Sequence, residues 1–442
     1  MCNDYSKKII SVEKALSLVR DGDHIVTGMA AAEAHDFFMD IHTIIDRGVK
    51  GVTVSNCLPM AEGKYLVDPD YIGKINVNAW FYTPQLRRNH AIDAVSYIPN
   101  HLHNAGWKRR EHIKTNIFIC NASPPDKHGY MSISLSATYE RGIRENADMV
   151  ILEINPNVPR AFGDVEIHIN DVDYLIETNY PIPEIPDPEP GELDWKIGKL
   201  IADEIQDGDC LQLGIGSMPN AIAKSLYSKK DLGIHSEMLT TEMSKLFKAG
   251  VITGKRKKIQ PGKMACTFVF GTREIYDFVD DNPGVIVLNG EYMNDPYVIG
   301  LNDNQVSINS SVEVDVSGQC ASESIGTKQI SGTGGQVDTA VGAQNSKGGR
   351  SYICLYSTAT VKDRDGQAKK VSKIVPTLNP GAIVSLSRMD VDRVVTEYGI
   401  AELRGTNVRE RVQRLAAIAH PDFREDIMKQ SMDLGIIGRK SY

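Results

Sequence analysis

The segment Pro181-Ile182-Pro183-Glu184-Ile185-Pro186-Asp187-Pro188-Glu189-Pro190-Gly191 places five prolines in ten residues. Each proline locks φ and removes a backbone donor, so neither a helix interior nor a central strand fits there. It reads as an extended linker over 181–191, between an N-terminal domain at 1–180 and a C-terminal domain at 192–442. Each part is long enough to bury its own core.

On both sides of the linker, apolar runs at 51–55, 117–120, 149–153, 210–213, 285–288 and 394–397 read as buried strands between amphipathic helical stretches. That alternation predicts an α/β fold with open, largely parallel sheets. An internal echo suggests two related domains. A helical stretch ending in Arg20-Asp21-Gly22-Asp23 leads into His24-Ile25-Val26-Thr27-Gly28, and one ending in Gln206-Asp207-Gly208-Asp209 leads into Cys210-Leu211-Gln212-Leu213-Gly214. A second echo pairs Ala147-Asp148-Met149-Val150-Ile151-Leu152-Glu153 with Val391-Asp392-Arg393-Val394-Val395-Thr396-Glu397. The two echoes are unequally spaced, so a duplication requires added length in the second half.

Hydrophobic residues at 41% and charged residues at 24% fit a folded chain. With 49 basic against 57 acidic residues the net charge is −8, which argues against general nucleic-acid binding and requires any anionic ligand to be held locally. The N-terminal residues lack the apolar stretch of a secretory signal, and no run of about 18 apolar residues occurs, so a soluble, cytoplasmic protein is expected. Seven widely spaced cysteines without a C-x-x-C pair indicate neither a disulfide framework nor a zinc site.

Chemistry concentrates in the second half. Gln212-Leu213-Gly214-Ile215-Gly216 follows a strand and opens a helix expected through Ala221 to Tyr227, either as a tight turn or as a place where a ligand approaches backbone N–H groups. The third glycine of a dinucleotide fingerprint is missing and no P-loop occurs, which disfavours nucleotide cofactors and ATP. Ile330-Ser331-Gly332-Thr333-Gly334-Gly335-Gln336 reads as a flexible loop or as a nest of donors for an oxyanion. Glu237, in Gly233-Ile234-His235-Ser236-Glu237-Met238, is expected just beyond a short apolar strand and is a candidate nucleophile in company with the two glycine clusters.

These segments, with Ser123-Pro124-Pro125-Asp126-Lys127-His128-Gly129, Val395-Thr396-Glu397-Tyr398-Gly399 and Ile418-Ala419-His420-Pro421-Asp422-Phe423, resemble the acetyl-CoA hydrolase/transferase family over nearly the whole chain. The resemblance is to its butyryl-CoA:acetate and 4-hydroxybutyrate CoA-transferases. It implies a CoA-transferase-like fold, with the catalytic glutamate in the C-terminal domain. It further implies that Glu237 forms a glutamyl-CoA thioester, that Asn294 positions it, and that Gln212, Leu213, Gly214, Ile215, Gly216, Val312 and Gly335 contact CoA, with Gly335 near the oxyanion. The implied reaction is ping-pong CoA transfer between an acyl-CoA and a short-chain carboxylate such as butyrate, 4-hydroxybutyrate or acetate. Transfer with a dicarboxylate and acyl-CoA hydrolysis are the alternatives. CoA is then a substrate, with no metal or permanently bound cofactor. A homodimer is expected, with neither nucleic acid nor membrane as partner.

Three further features carry two readings each. Lys255-Arg256-Lys257-Lys258 with Lys263 is a phosphate-attracting patch or, as favoured, a charged loop. Arg87 and Arg88 are a solvated pair or partners for a second carboxylate. His101 and His103 read as surface or packing residues, without the further ligands a metal needs.

Overall fold

The computed structural model describes residues 5–362 and 366–438. Its principal strands are, in chain order, β1 (His24–Thr27), β2 (Thr53–Asn56), β3 (Asn76–Ala79), β4 (Val95–Tyr97), β5 (Thr115–Ala122), β6 (Ala147–Ile154), β7 (Tyr174–Glu177), β8 (Cys210–Leu213), β9 (Gly233–Leu239), β10 (Met264–Val269), β11 (Val285–Val287), β12 (Gln305–Ser310), β13 (Arg350–Cys354), β14 (Arg393–Thr396) and β15 (Gly399–Glu402). The helices used below are α1 (Val12–Ser17), α2 (Glu192–Glu204), α3 (Ser217–Lys224), α4 (Thr241–Lys248), α5 (Gly290–Met293) and α6 (Gln336–Asn345).

The chain divides into two compact units. The first gathers the chain up to Pro186 with His235–Ser244 and Gly262–Asp295, and the second gathers Asp187–Ile234, Lys245–Pro261 and the chain from Pro296 onward. Residues 181–190 form no helix or strand, and α2 begins directly after Gly191.

In the first unit seven parallel strands lie in the order β4-β3-β2-β1-β5-β6-β7. From Ile117 to Ala122 every residue of β5 is buried, and its apolar run Ile117–Cys120 is continuous, as expected when both faces of a parallel strand are covered. Phe37, Phe38, Ile41 and Tyr65 fill the core beside it with Ile117 and Ile119. The same unit carries β9 from His235 onward, paired in parallel with β10, and β10 with β11. In the second unit β8 pairs in parallel with Gly233 and Ile234 at the start of β9 and with β12. The parallel ladder continues to β13 and β14, and β15 closes it antiparallel. Its core is built on Val314, Ile353, Val394, Leu403 and Leu415.

The first sequence echo is reproduced hydrogen bond for hydrogen bond. In the first unit Arg20 N donates to the Asp23 carboxylate at 2.8 Å, Lys50 N to that of Asp21 at 2.9 Å, and Gly22 N to Lys50 O at 2.9 Å. In the second, Gln206 N donates to Asp209 at 2.7 Å, Lys230 N to Asp207 at 2.8 Å, and Gly208 N to Lys230 O at 2.9 Å. Gly22 and Gly208 hold φ of +76° and +87°, the left-handed conformation this turn demands and glycine adopts without penalty. The second echo goes less far: β6 lies between two parallel partners, β5 and β7, whereas β14 meets antiparallel β15.

Two local expectations shift. The helix after the first glycine cluster begins at Ser217, not Ala221, because Pro219 sits within the first turn, where its missing N–H costs nothing. Strand β10, Met264-Ala265-Cys266-Thr267-Phe268-Val269, is fully buried although it is absent from the predicted runs. Six cysteines, Cys57, Cys120, Cys210, Cys266, Cys320 and Cys354, are buried and outside any disulfide among the described residues.

Candidate active site

Glu237 lies inside β9, as the fifth of its seven residues, rather than just beyond a strand. The ladder to β10 runs on through Met238↔Phe268 and Leu239↔Val269, so pairing carries the strand two residues past the glutamate. Every other residue of β9 is buried, and Glu237 alone is partly exposed.

Asn294 reaches it from the end of a short helix. The Asn289 side chain caps α5 by accepting from Glu291 N at 3.1 Å. Gly290 lets the helix sit against Thr138, whose carbonyl oxygen would lie 2.4 Å from an added Cβ. Asn294 then closes the helix, with its N–H on Gly290 O at 3.0 Å, and its side-chain Nδ2 donates to Glu237 Oε2 at 3.0 Å. A second tether joins the same elements: His235 Nε2 lies 2.9 Å from Met293 O. A carbonyl only accepts, so Nε2 carries the hydrogen in this bond. Asn294 is 1% exposed and its Oδ1 is buried with no hydrogen-bond partner among the described residues.

Glu237 also makes itself felt at the end of β2. Burial pushes the Cys57 thiol well above its ordinary pKa, and the charges of Glu140 and Glu237 push it further. A thiol so disfavoured as thiolate is a poor nucleophile. Cys57 O accepts from Ala30 N at 3.1 Å, and the adjoining loops contain two strained non-glycine residues, Ala30 at φ +50° and Leu58 at φ +55°. Beneath them Glu33 is pushed up to about 8 by burial, opposed by N–H donors from Ala61 and Met60 and reinforced by Glu153. Burial also lifts Glu153 to about 7, although Phe37 N and Tyr180 Oη donate to it at 2.7 and 2.9 Å.

The second unit brings the other sequence-predicted residues together. Gln212, in β8, accepts through Oε1 from Ser307 Oγ and Ile308 N of β12, both at 3.1 Å. Ser307 Oγ, whose single hydrogen goes to Gln212, also lies 3.0 Å from Thr339 Oγ1 of α6, and Gln336 Nε2 donates to Ser310 O at 2.9 Å. These bonds gather the end of β8, the end of β12 with Val312 just past it, and the start of α6, which Gly335 caps. Leu213 is buried and Ile215 is 46% exposed. A Cβ at Gly214 would meet no atom within 4 Å, whereas Gly216 caps α3 at φ +121°. The first N–H groups of a helix have no intrahelical partner, so α3 and α6 both present donors beside these glycines.

Most of the remaining candidates have partners of their own. Lys257 is buried, with Nζ on Ile234 O at 2.6 Å, Lys258 pairs with Asp303 at 2.9 Å, and Arg256 donates to Asp207 O at 3.1 Å. Arg88 is exposed and bonded to Gln85 one turn earlier, while Arg87 is half-buried. His101 and His103 stack with ring centroids 6.0 Å apart. Among the described residues no group of three or more His, Cys, Asp and Glu side chains is placed to hold a metal, and no helix is long and apolar enough to cross a membrane. The hydrogen-bonding roles of Gln212, between two leucines, and of Glu323, between two serines, carry no sequence signal of their own.

Comparison with known proteins finds relatives over nearly the whole chain. The family model of the acetyl-CoA hydrolase/transferase N-terminal domain matches residues 2–186, and that of the C-terminal domain matches 271–431. The chain is 41% identical over 427 residues to the 4-hydroxybutyrate coenzyme A transferase of Clostridium kluyveri, covering 96% of this chain and 97% of that one. It is 35% identical to the butyryl-CoA:acetate CoA-transferase of Anaerostipes caccae, covering 97% and 96%. The crystal structure of RipA from Yersinia pestis superposes with a TM-score of 0.89 at 32% identity, covering 98% of this chain and 99% of that one.

Proposed function

The chain belongs to the acetyl-CoA hydrolase/transferase family, and from that premise we propose that it moves CoA between an acyl-CoA and a free short-chain carboxylate, of the 4-hydroxybutyrate, butyrate or acetate type, with Glu237 as nucleophile. The observation that carries this reading is the partly exposed Glu237 carboxylate in an otherwise buried strand, with its Oε2 held by Asn294 at 3.0 Å.

In the proposed cycle Glu237 Oε1, the oxygen Asn294 does not hold, attacks the thioester carbonyl. The C–S bond breaks, CoA leaves as thiolate, and an acyl-glutamyl anhydride remains. The thiolate then attacks the glutamyl carbonyl and releases the first carboxylate, leaving CoA on the enzyme as a thioester. A second carboxylate reverses both steps. A carboxylate nucleophile suits this exchange because anhydride and thioester both keep the acyl transfer potential that an ordinary ester would dissipate. Each tetrahedral intermediate bears an oxyanion, for which a preorganised N–H donor is worth about 3–4 kcal/mol. Gly335 and the first turn of α6 are assigned that role, and residues 212–216 with Val312 are assigned to CoA. The enzyme is proposed to work as a cytoplasmic homodimer, which light scattering of the purified protein checks for assembly.

Incubation with acyl-CoA followed by peptide mass mapping tests the mechanism. A CoA adduct is expected on the peptide containing Glu237 and is expected to vanish in Glu237→Gln. Full transfer activity in Glu237→Gln would overturn it.

A further inference from the structure

We propose that Glu323 is a positioning residue that holds the glycine-rich loop 330–335 in its working shape, an inference that rests on assigning this loop to the oxyanion. The loop contains Gly332, Gly334 and Gly335, with Gly334 at φ +54°. Three glycines in four residues give a backbone many alternative conformations, whereas stabilising an oxyanion requires donors fixed before the reaction. Something outside the glycines must supply the rigidity.

Glu323 brackets the loop with both its main chain and its side chain. Its carbonyl oxygen accepts from Ile330 N at 2.8 Å and Ser331 N at 3.2 Å. Its Oε1 accepts from Thr333 Oγ1, between the glycines, at 2.8 Å, and from Ser385 Oγ at 2.9 Å. Its Oε2 accepts from Gln329 Nε2 at 3.2 Å, and the same amide donates to Ser331 O at 3.0 Å. The neighbouring Ser322 carbonyl accepts from Ser331 Oγ at 3.3 Å. Glu323 is 3% exposed, and a carboxyl group so placed is retained only when its oxygens are hydrogen-bonded. One oxygen, Oε1, therefore has two contacts: Thr333 Oγ1, inside the loop, and Ser385 Oγ, outside it.

That shared oxygen provides the test. Thr333→Val and Ser385→Ala each delete one hydrogen bond to Oε1, and only the first lies in the loop. Initial transfer rates, KM for acyl-CoA, thermal midpoint and the rate of CoA-adduct formation on Glu237 are measured for both, with Glu323→Gln and Glu323→Ala. Thr333→Val is expected to lower kcat and the adduct rate at least 10-fold with KM for acyl-CoA within 3-fold. Ser385→Ala is expected to keep kcat within 2-fold while its thermal midpoint falls by as much as or more than that of Thr333→Val. Glu323→Gln, whose amide oxygen can still accept from both hydroxyls, should restore most of what Glu323→Ala loses. Equal losses of kcat in Thr333→Val and Ser385→Ala, or wild-type rates in Thr333→Val, would overturn the proposal even if Glu323→Ala fails to fold. Absence of any Glu237 adduct in the wild-type enzyme would instead overturn the proposed mechanism.

Discussion

Asn294 donates one amide hydrogen to Glu237 Oε2 across 3.0 Å, and the helix that carries Asn294 is held to the strand carrying Glu237 by His235 on Met293 O. The pair is thus fixed at both ends before any substrate arrives.

Asn294→Ala should lower kcat about 10- to 100-fold, because a hydrogen bond to a charged group is worth about 1.5–3 kcal/mol. KM for acyl-CoA should change little, since CoA contacts are assigned elsewhere. Steady-state kinetics with two acyl-CoA substrates measure the split.

Gly290→Ala should disturb the same pair indirectly. A Cβ 2.4 Å from Thr138 O cannot be accommodated without moving α5, at a cost of about 1–3 kcal/mol. Denaturant unfolding should show the loss of stability, and kcat should fall with it as Asn294 shifts.

Gly214→Ala separates binding from folding. The added methyl group meets no protein atom within 4 Å, so the thermal midpoint of the free enzyme should stay within about 2 °C of wild type. If acyl-CoA passes over this residue, KM should rise several-fold and the thermal shift produced by added CoA should shrink.

Cys57→Ala should retain most transfer activity, although its thiol lies within the influence of Glu237. Its raised pKa keeps it as the unreactive thiol, so iodoacetamide at pH 8 should leave Cys57 unmodified until denaturant is added. Peptide mapping gives the result directly.

Glu33 makes stability depend on pH. Its folded pKa of about 8 stands above its ordinary value of 4.5, so between those pH values the folded chain keeps a proton that the unfolded chain has released. Unfolding therefore becomes easier as pH rises through this window, by an amount on the order of a few kcal/mol, and the contribution is most favourable to folding below pH 4.5. Glu153, raised to about 7, acts in the same sense. Glu33→Gln should flatten the fall of the thermal midpoint between pH 5 and 8, measured by calorimetry against wild type.

The elements legible in the sequence were those set by short-range physics. Asp-Gly turns before β1 and β8 announced themselves because Gly22 and Gly208 need left-handed φ and the flanking aspartates accept fixed backbone donors. Glu237 stood out among glycine clusters, but its place inside β9 depended on pairing with β10, a partner about thirty residues away that local pattern does not reveal. Buried contacts such as Gln212 with Ser307, or Glu323 with Ser385, join residues about 60 to 95 positions apart and leave no periodicity to read. Lys257, read as part of a charged loop, is buried on Ile234 O because its long aliphatic stem packs while its amine finds a carbonyl.

The passage of β9 between the units has a consequence for how the protein is made. The first unit draws on His235–Ser244 and Gly262–Asp295, after a stretch that belongs to the second. On a ribosome its seven-stranded sheet is complete in sequence by Glu177, yet the strand bearing Glu237 and the helix bearing Asn294 emerge more than fifty residues later. The nascent first unit therefore has its complete seven-stranded sheet well before it receives the strand and helix that carry Glu237 and Asn294. Completion of the candidate site thus follows synthesis of residues 187–295, so a chain truncated before Asn294 would hold the sheet without the Glu237–Asn294 pair.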